Sequence, residues 1–308
     1  MGDASAAYNI FSGHLGHLSP QQESALVDFK RLLTEQKLYD PAEPSTPDDP
    51  TLLRFLRARS FDPPAALKQF TDCAAWRQTH DVDNLYATFD SAELETSRRY
   101  YPRWTGRRDK NGMPVYVYHL ASLDSAVQKE LNAVPAERRY QRIIALYEWM
   151  THFIFPVCTA APHPTQTPIT CVVTIIDLEG ISIGGMWTLR SHLAESARLA
   201  TANYPETLST IAIVNAPSFF PTIWGWIKGW FDPGTRNKIH ILGRNPSETL
   251  LTIIDAENLP SQYGGTLVWE YASEPNLDAP TKELIGKMPK GPVLFADGKV
   301  SELRHDVQ

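Results

Sequence analysis

The sequence is poor in cysteine. Three residues, Cys73, Cys158 and Cys171, are too few and too scattered for a disulfide framework, and no two have metal-ligand spacing. A reducing compartment fits. Positive charge is also short: 29 Lys and Arg stand against 35 Asp and Glu, a net charge of -6. A general nucleic-acid binder would be basic, so that class is excluded, while a local basic patch for phosphate is not. An unbroken apolar run of about 20 residues, enough to cross a bilayer, is missing too. Residues 149–176 are uncharged but carry Pro156, Pro162, Pro164 and Pro168; residues 207–227 carry Asn215, Pro217 and Pro221. Both read as strand, loop and helix pieces. The first residues lack the basic start and apolar core of a secretory signal, and Ala6 stands where a myristoylation pattern needs Ser or Thr.

Enzyme motifs are absent as well. Apart from the letters G-x-S-x-G at Gly180 to Gly184, the sequence has no P-loop, G-x-G-x-x-G after a strand, H-E-x-x-H, or Cys six residues before an Arg. Gly180-Ile181-Ser182-Ile183-Gly184-Gly185 lacks the P-loop lysine and suits a packed bend. Asp177 and Glu179 read as helix caps rather than paired catalytic carboxylates. His14, His17 and His163 fall in loop or tail positions with no nucleophile beside them. The chain is expected to be non-enzymatic, with no metal.

What is present is greasy. The stretch from Asn215 to Gly243 leaves a buried strand (Ile211–Asn215) and runs through Phe219, Phe220, Ile223, Trp224, Trp226, Ile227, Trp230 and Phe231 with one charge, Lys228. It then turns at Asp232-Pro233-Gly234. A helix this apolar is either buried or faces something greasy. One reading is a mobile helix over a lipid-sized cavity; the other is a buried core helix. The lipid reading has a physical rationale. A two-chain lipid outside a bilayer exposes on the order of 30 methylenes, about 24 kcal/mol if they face water. A soluble carrier needs an apolar cavity and an apolar door, with Trp suited to the membrane–water interface.

The rest of the chain supplies a frame. Ser19-Pro20-Gln21-Gln22 is a capping-box helix start, followed by an amphipathic pattern to about Lys37. Asp49-Pro50 and Asp62-Pro63 start two more helices. From Tyr100 the pattern changes. A turn at Asp109–Gly112 precedes a strand at 115–118, and apolar runs at 171–177, 211–215 and 239–242 alternate with helical segments. This predicts an α/β fold with right-handed crossovers and a mainly parallel sheet, behind a small all-helical domain. Residues 1–18 read as a loose tail, 19–85 as the helical domain, 94–265 as the α/β domain, and 266–308 as a surface tail.

Several motifs then stand in one order: Leu52-Leu53-Arg54-Phe55-Leu56-Arg57-Ala58-Arg59, Ile176-Asp177-Leu178-Glu179-Gly180-Ile181-Ser182, Tyr204-Pro205-Glu206, Ile213-Val214-Asn215-Ala216-Pro217, Asp232-Pro233, Lys238-Ile239 and Leu259-Pro260-Ser261-Gln262-Tyr263-Gly264-Gly265. In this the chain resembles the CRAL-TRIO lipid-binding family, and within it the fungal secretory phosphatidylinositol/phosphatidylcholine transfer proteins. The resemblance covers about Ser19 to Gly265. It implies an α/β lipid pocket with a helical gate (Phe219 to Phe231) hinged at Asp232, Pro233 and Gly234. It implies a phosphatidylinositol headgroup held by Arg59, Glu206, Thr235 and Lys238. Arg and Lys suit a phosphate diester, and a carboxylate can accept from inositol hydroxyls. The family's next basic positions are Thr207 and Ser60 here, which thins the basic patch. For the second-ligand pocket the resemblance implies Thr174 and Tyr147, with Val172 in place of a Ser and Thr105 in place of a Tyr, beside Trp104. Two of those four polar groups are replaced, which favours a more apolar second ligand such as a sterol or isoprenoid. The implied protein is a monomeric, cytoplasmic carrier that docks transiently on Golgi, endosomal or other internal membranes. Its one bound group is a lipid, phosphatidylinositol first. Its alternatives are a carrier of a sterol or other neutral hydrophobic lipid, and a lipid-sensing scaffold presenting phosphatidylinositol to a lipid kinase.

Overall fold

The computed structural model describes residues 10–43, 46–230 and 233–303, with the side chains of Trp230 and Pro233 outside that description. Phe231 and Asp232 of the expected gate and hinge therefore lie outside the described residues, as do the side chains of Trp230 and Pro233.

The chain divides into two compact units, Met1–Asp72 and Cys73–Gln308. In the first, helix α1 (Pro20–Glu35) starts on the expected capping box: the Ser19 hydroxyl accepts from the Gln22 N–H while the Gln22 side chain accepts from the Ser19 N–H. Asp48 caps α2 (Asp49–Ala58), and Asp62 accepts from the Ala65 N–H at the start of α3 (Pro63–Thr79). Phe29, Leu33, Leu52, Leu53 and Leu56 are fully buried. Residues 10–18 differ from the loose tail expected of them. Phe11 and His14 are buried, and Phe11 stacks on His17 at 5.6 Å. The division falls inside α3 rather than after residue 85, because the C-terminal half of α3 is tied into the second unit. Trp76 donates to the Tyr140 hydroxyl at 2.9 Å, and Arg77 pairs with Glu148 at 2.8 Å.

The second unit continues with short helices α4 (Val82–Ala87) and α5 (Ser91–Ser97), then strands β1 (Arg103–Arg108) and β2 (Pro114–His119). Helices α6 (Ser125–Ala133), α7 (Ala136–Trp149) and α8 (Phe155–Ala160) follow, with a π-helical turn, Met150–Ile154, joining the last two. The 25-residue span Ala136–Ala160 is long and apolar enough to cross a membrane, but it is mostly buried inside the fold and reads as a core helix. Next come β3 (Val172–Asp177), α9 (Ile183–Asn203), β4 (Leu208–Val214), α10 (Phe220–Ile227), α11 (Pro233–Asn237), β5 (Ile239–Ile241) and α12 (Ser247–Ile253). The five strands form one sheet in the order β1-β2-β3-β4-β5, antiparallel at β1–β2 and parallel elsewhere. That is the mainly parallel α/β sheet expected.

The segment after residue 265, expected as a surface tail, has elements and buried residues of its own. It forms α13 (Ala279–Ile285) and a hairpin, β6 (Val293–Ala296) with β7 (Lys299–Glu302), and buries Leu267, Trp269, Val293 and Phe295. It is also stitched to β1. The Asn276 N–H donates to the Thr105 carbonyl at 2.7 Å and the Asp278 N–H to the Gly106 carbonyl at 3.1 Å, while Arg108 and Asp278 form a buried ion pair at 2.8 Å. Gly106 permits this approach. Its φ is +87°, and a Cβ there would sit 2.5 Å from the Asn276 backbone. Gly106→Ala is therefore expected to destabilise the protein by about 2–3 kcal/mol, combining left-handed strain with overpacking. Thermal unfolding checks this; an unchanged midpoint would show that the stitch gives way without penalty.

Candidate functional site

Strand register sets the site. Across the sheet Tyr116, Thr174, Ile211 and Ile239 are neighbours in one row, and Tyr118, Ile176, Ile213 and Ile241 in the next. Side chains alternate along a strand, so both rows point to one face and Val115, Val117, Val173 and Ile175 to the other. On the first face Tyr118, Ile176, Ile211 and Ile213 join one apolar cluster with Ile143 and Ile144 of α7, Met186, Leu189 and Leu193 of α9, and Phe220 and Ile223 of α10. Ile176 lies on the central strand, flanked by strands on both sides, and is still only half-buried. The helices therefore cover this face while leaving Ile176 partly accessible beneath them.

Over this face lies α10. Phe220 and Ile223 are buried and Phe219, Trp224 and Ile227 half-buried against the cluster. The helix is shorter than the expected 219–231 and passes into a 3-10 turn at Lys228–Trp230. It is not a fully buried core helix. Trp226 is 52% exposed and meets Trp187 of α9, itself 52% exposed, edge to face at 5.7 Å and 79°. The Arg190 guanidinium lies 3.9 Å over the Trp187 ring. Gly225 and Gly229 face open space, and Gly234 is exposed.

The structure brings two of the expected headgroup residues together. Lys238 Nζ lies 2.8 Å from Glu206 Oε2, with side chains 16% and 18% exposed. Glu206 follows the buried Tyr204 and Pro205 and has φ +57°, a left-handed turn that ends the helix-to-strand link. The Lys238 N–H donates to the Thr235 carbonyl at 3.1 Å, which places Thr235 one turn before it. Arg59, in the first unit, is exposed at the C-cap of α2, its guanidinium donating to the Ala58 carbonyl.

In the expected second-ligand pocket, Thr174 and Val172 are buried on β3. Tyr147 stacks on Tyr204 with ring centroids 4.7 Å apart, and burial pushes its phenol up to about 12. Thr105 does not join them. Its hydroxyl donates to the Val115 carbonyl and accepts from the Arg107 N–H, holding the bulge between β1 and β2. The ladder pairs its neighbour Trp104 with Tyr116 and shifts register before Arg108, so the Thr105 hydroxyl is spent on this irregular turn of the strand. The residue that does stand beside Thr174 is Tyr116, whose buried hydroxyl has no hydrogen-bond partner. Strand alternation through Val115–Tyr118 was the signal that could have found it.

Two polar networks support the site. Asp177, at the end of β3, accepts from the Glu179 N–H, the Asn215 amide and the Tyr263 hydroxyl, each at 2.9 Å. Three of the sequence motifs thus meet on one carboxylate, which serves as a structural cap. Glu148, on α7, is 1% exposed and gathers Arg77 on both oxygens, the Tyr204 hydroxyl at 2.5 Å and His152 at 3.0 Å. Burial alone would raise its pKa, but the hydrogen bonds from His152 and Arg77 and the charge of Arg77 win and hold it at about 2.

Comparison with known proteins follows the same division. Residues 98–265 match the family described as CRAL/TRIO domain, and residues 15–72 the CRAL/TRIO, N-terminal domain. The chain is 36% identical over 253 residues to the Sec14 cytosolic factor of Schizosaccharomyces pombe, covering 82% of this chain and 85% of that protein. It is 34% identical over 240 residues to the phosphatidylinositol/phosphatidylcholine transfer protein SFH4 of Arabidopsis thaliana, covering 78% of this chain and 38% of that longer one. Among solved structures, the crystal structure of Sfh5 matches with a TM-score of 0.60 at 15% identity, over 85% of this chain and 93% of that one, a likeness of fold.

Proposed function

Because the chain belongs to the CRAL/TRIO family, we propose that it is a lipid-transfer protein that extracts a phospholipid, phosphatidylinositol first, carries it through the cytoplasm and releases it at another membrane. The observation that carries this reading is the apolar face of the sheet under α9 and α10, where Ile176 on the central strand stays half-buried, with the Lys238–Glu206 pair nearby in sequence to α10. Hydrocarbon needs the first and an inositol phosphate the second: Lys238 supplies a cation for the phosphate, Glu206 an acceptor for hydroxyls, and Thr235 a further polar contact. The names of the relatives, phosphatidylinositol/phosphatidylcholine transfer proteins among them, favour the same ligand class. The protein acts as a monomer in this reading, and α10 moves aside at the bilayer.

The test is mass spectrometry of lipids bound to the purified protein, followed by transfer between vesicles. Phosphatidylinositol is expected among the bound lipids. Lys238→Ala should weaken its loading about tenfold or more, the loss of one charge-assisted hydrogen bond. Arg59→Ala is measured beside it as an independent probe of the headgroup contact that the resemblance implies. A protein that carries no phosphatidylinositol, or a Lys238→Ala variant that loads it normally, would remove the assignment.

A further inference from the structure

The five-stranded sheet has two edges, and the fold treats them differently. At β1 the outer edge is taken up: the Asn276 and Asp278 N–H groups donate to the Thr105 and Gly106 carbonyls. At β5 it is open. In the parallel ladder to β4 the Ile211 N–H donates to the Lys238 carbonyl and the Leu242 N–H to the Ile213 carbonyl. That register turns the backbone groups of His240 toward β4 and those of Ile239 and Ile241 outward. Among the described residues no hydrogen bond reaches the N–H or C=O of Ile239 or Ile241. The surroundings are open as well. His240 is exposed, Ile241 is 48% exposed, and Gly243 faces free space.

An open edge is a template for another strand, and charge selects which one. The chain carries a net charge of -6, yet residues 233–247 contain Arg236, Lys238, His240 and Arg244 and no Asp or Glu. Lys238 is paired with Glu206. Arg236, just before the edge, and Arg244, just after it, are exposed, and neither joins an ion pair among the described residues. A second copy of this chain, laid antiparallel so that Ile239 meets Ile241, would set Arg236 against Arg244 at both ends. Like charges directly opposite are destabilising, so the edge rejects its own kind. An anionic bilayer answers the cations, but its phosphates only accept, and the outward carbonyls gain nothing. An extended acidic segment answers both. Its backbone donates and accepts along the edge, and its carboxylates reach the two guanidinium groups.

We propose that the outer edge of β5 is a docking strand for an extended acidic segment of a partner protein, which joins the sheet as a further strand. Ile241 supplies an apolar contact for alternate side chains of that segment. The contact is made by backbone and surface cations, so it stands whatever lipid the protein carries.

The test uses the full-length protein and a short fluorescent peptide with Asp and Glu at both ends of a Val-Thr core. It is expected to bind about tenfold or more tightly than the same peptide with Lys at its ends. It should exceed by as much a version N-methylated at every core residue, which keeps the charge but cannot donate to the edge. The double variant Arg236→Glu, Arg244→Glu should lose the acidic peptide and take up the basic one, with its unfolding midpoint unchanged. Ile241→Pro removes an N–H that β4 does not use and should weaken binding of the acidic peptide. Equal affinity for the methylated peptide overturns the proposal, because charge then acts without strand addition. So does failure of every peptide while the protein co-sediments with vesicles of phosphatidylcholine and phosphatidylserine and the double variant does not; the edge is then a membrane contact. A dimer that dissociates in Ile241→Pro would give the edge to a second copy and overturn it too.

Discussion

Glu148→Leu is expected to lower the stability of the protein by about 3–5 kcal/mol, roughly 10 °C in the unfolding midpoint. The carboxylate is almost wholly buried, and its removal leaves the Arg77 guanidinium and the Tyr204 hydroxyl without their acceptor in low dielectric. Arg77 keeps a second partner, Asp83, on a far more exposed side. The double variant Arg77→Met, Glu148→Leu should therefore be more stable than Glu148→Leu alone, because no unpaired buried charge remains. If the double variant loses the sum of the two single losses, the cluster is not a coupled network. Acid acts on the same group. The folded pKa, about 2, lies below the ordinary value of 4.5. The stabilisation is fully present above about pH 4.5 and is lost as pH falls through 4.5 toward 2, amounting to about 3 kcal/mol. In Glu148→Leu this acid-labile component should disappear from the stability–pH curve. The consequence for function is positional. Glu148 fixes Tyr204, which stacks on Tyr147 and leads two residues on to Glu206. The π-helical turn that follows Glu148 brings His152 back onto the same carboxylate.

What was legible in the sequence had a local cause. The capping box at Ser19, the caps at Asp48 and Asp62, the turn at Asp109–Gly112 and the apolar runs of β2 to β5 all state their structure within a few residues. Strand β1 did not. Its sequence, R-W-T-G-R-R, has no apolar alternation, and it becomes a strand through the bulged ladder to β2 and the backbone of Asn276 and Asp278 laid beside it. The same contacts explain why the Pro- and Gly-broken segment after residue 265 packs. Its order comes from partners distant in sequence, such as the Tyr86 hydroxyl that donates to the Val293 carbonyl and accepts from the Val293 N–H. At the site, Lys238 and Glu206 could be named from motifs, and the structure brings them into contact. The role of Thr105 could not be read from its neighbours in sequence, because only the structure shows its hydroxyl engaged with the Val115 carbonyl and the Arg107 N–H at the bulge.

Trp226→Asp is expected to slow lipid transfer between vesicles by on the order of 50-fold and to abolish co-sedimentation with them, with the fold intact. On α10 the other large apolar side chains are buried or half-buried against the sheet face, and Trp226 alone points substantially into water. An aromatic side chain carries about 150–250 Å² of surface, so the half that is exposed represents about 2–3 kcal/mol when a bilayer interface covers it. That energy is absent in water and present at the membrane, and so it draws the Trp226 face of α10 onto the bilayer. In solution the closed state has its own contact, the edge-to-face packing of Trp226 on Trp187, worth about 0.5–1.5 kcal/mol. In the lipid-transfer reading proposed above, the bilayer term exceeds the latch, so giving up the contact with Trp187 at a membrane is favourable. Asp removes both terms and adds the penalty of a carboxylate at an apolar surface. Trp226→Phe keeps most of the area and should retain transfer within a few-fold, whereas Trp187→Ala breaks only the latch and should raise spontaneous lipid loss in the absence of acceptor membranes. Wild-type transfer by Trp226→Asp would mean that α10 does not meet the bilayer through this residue, and the gate would have to be sought on another edge of the pocket.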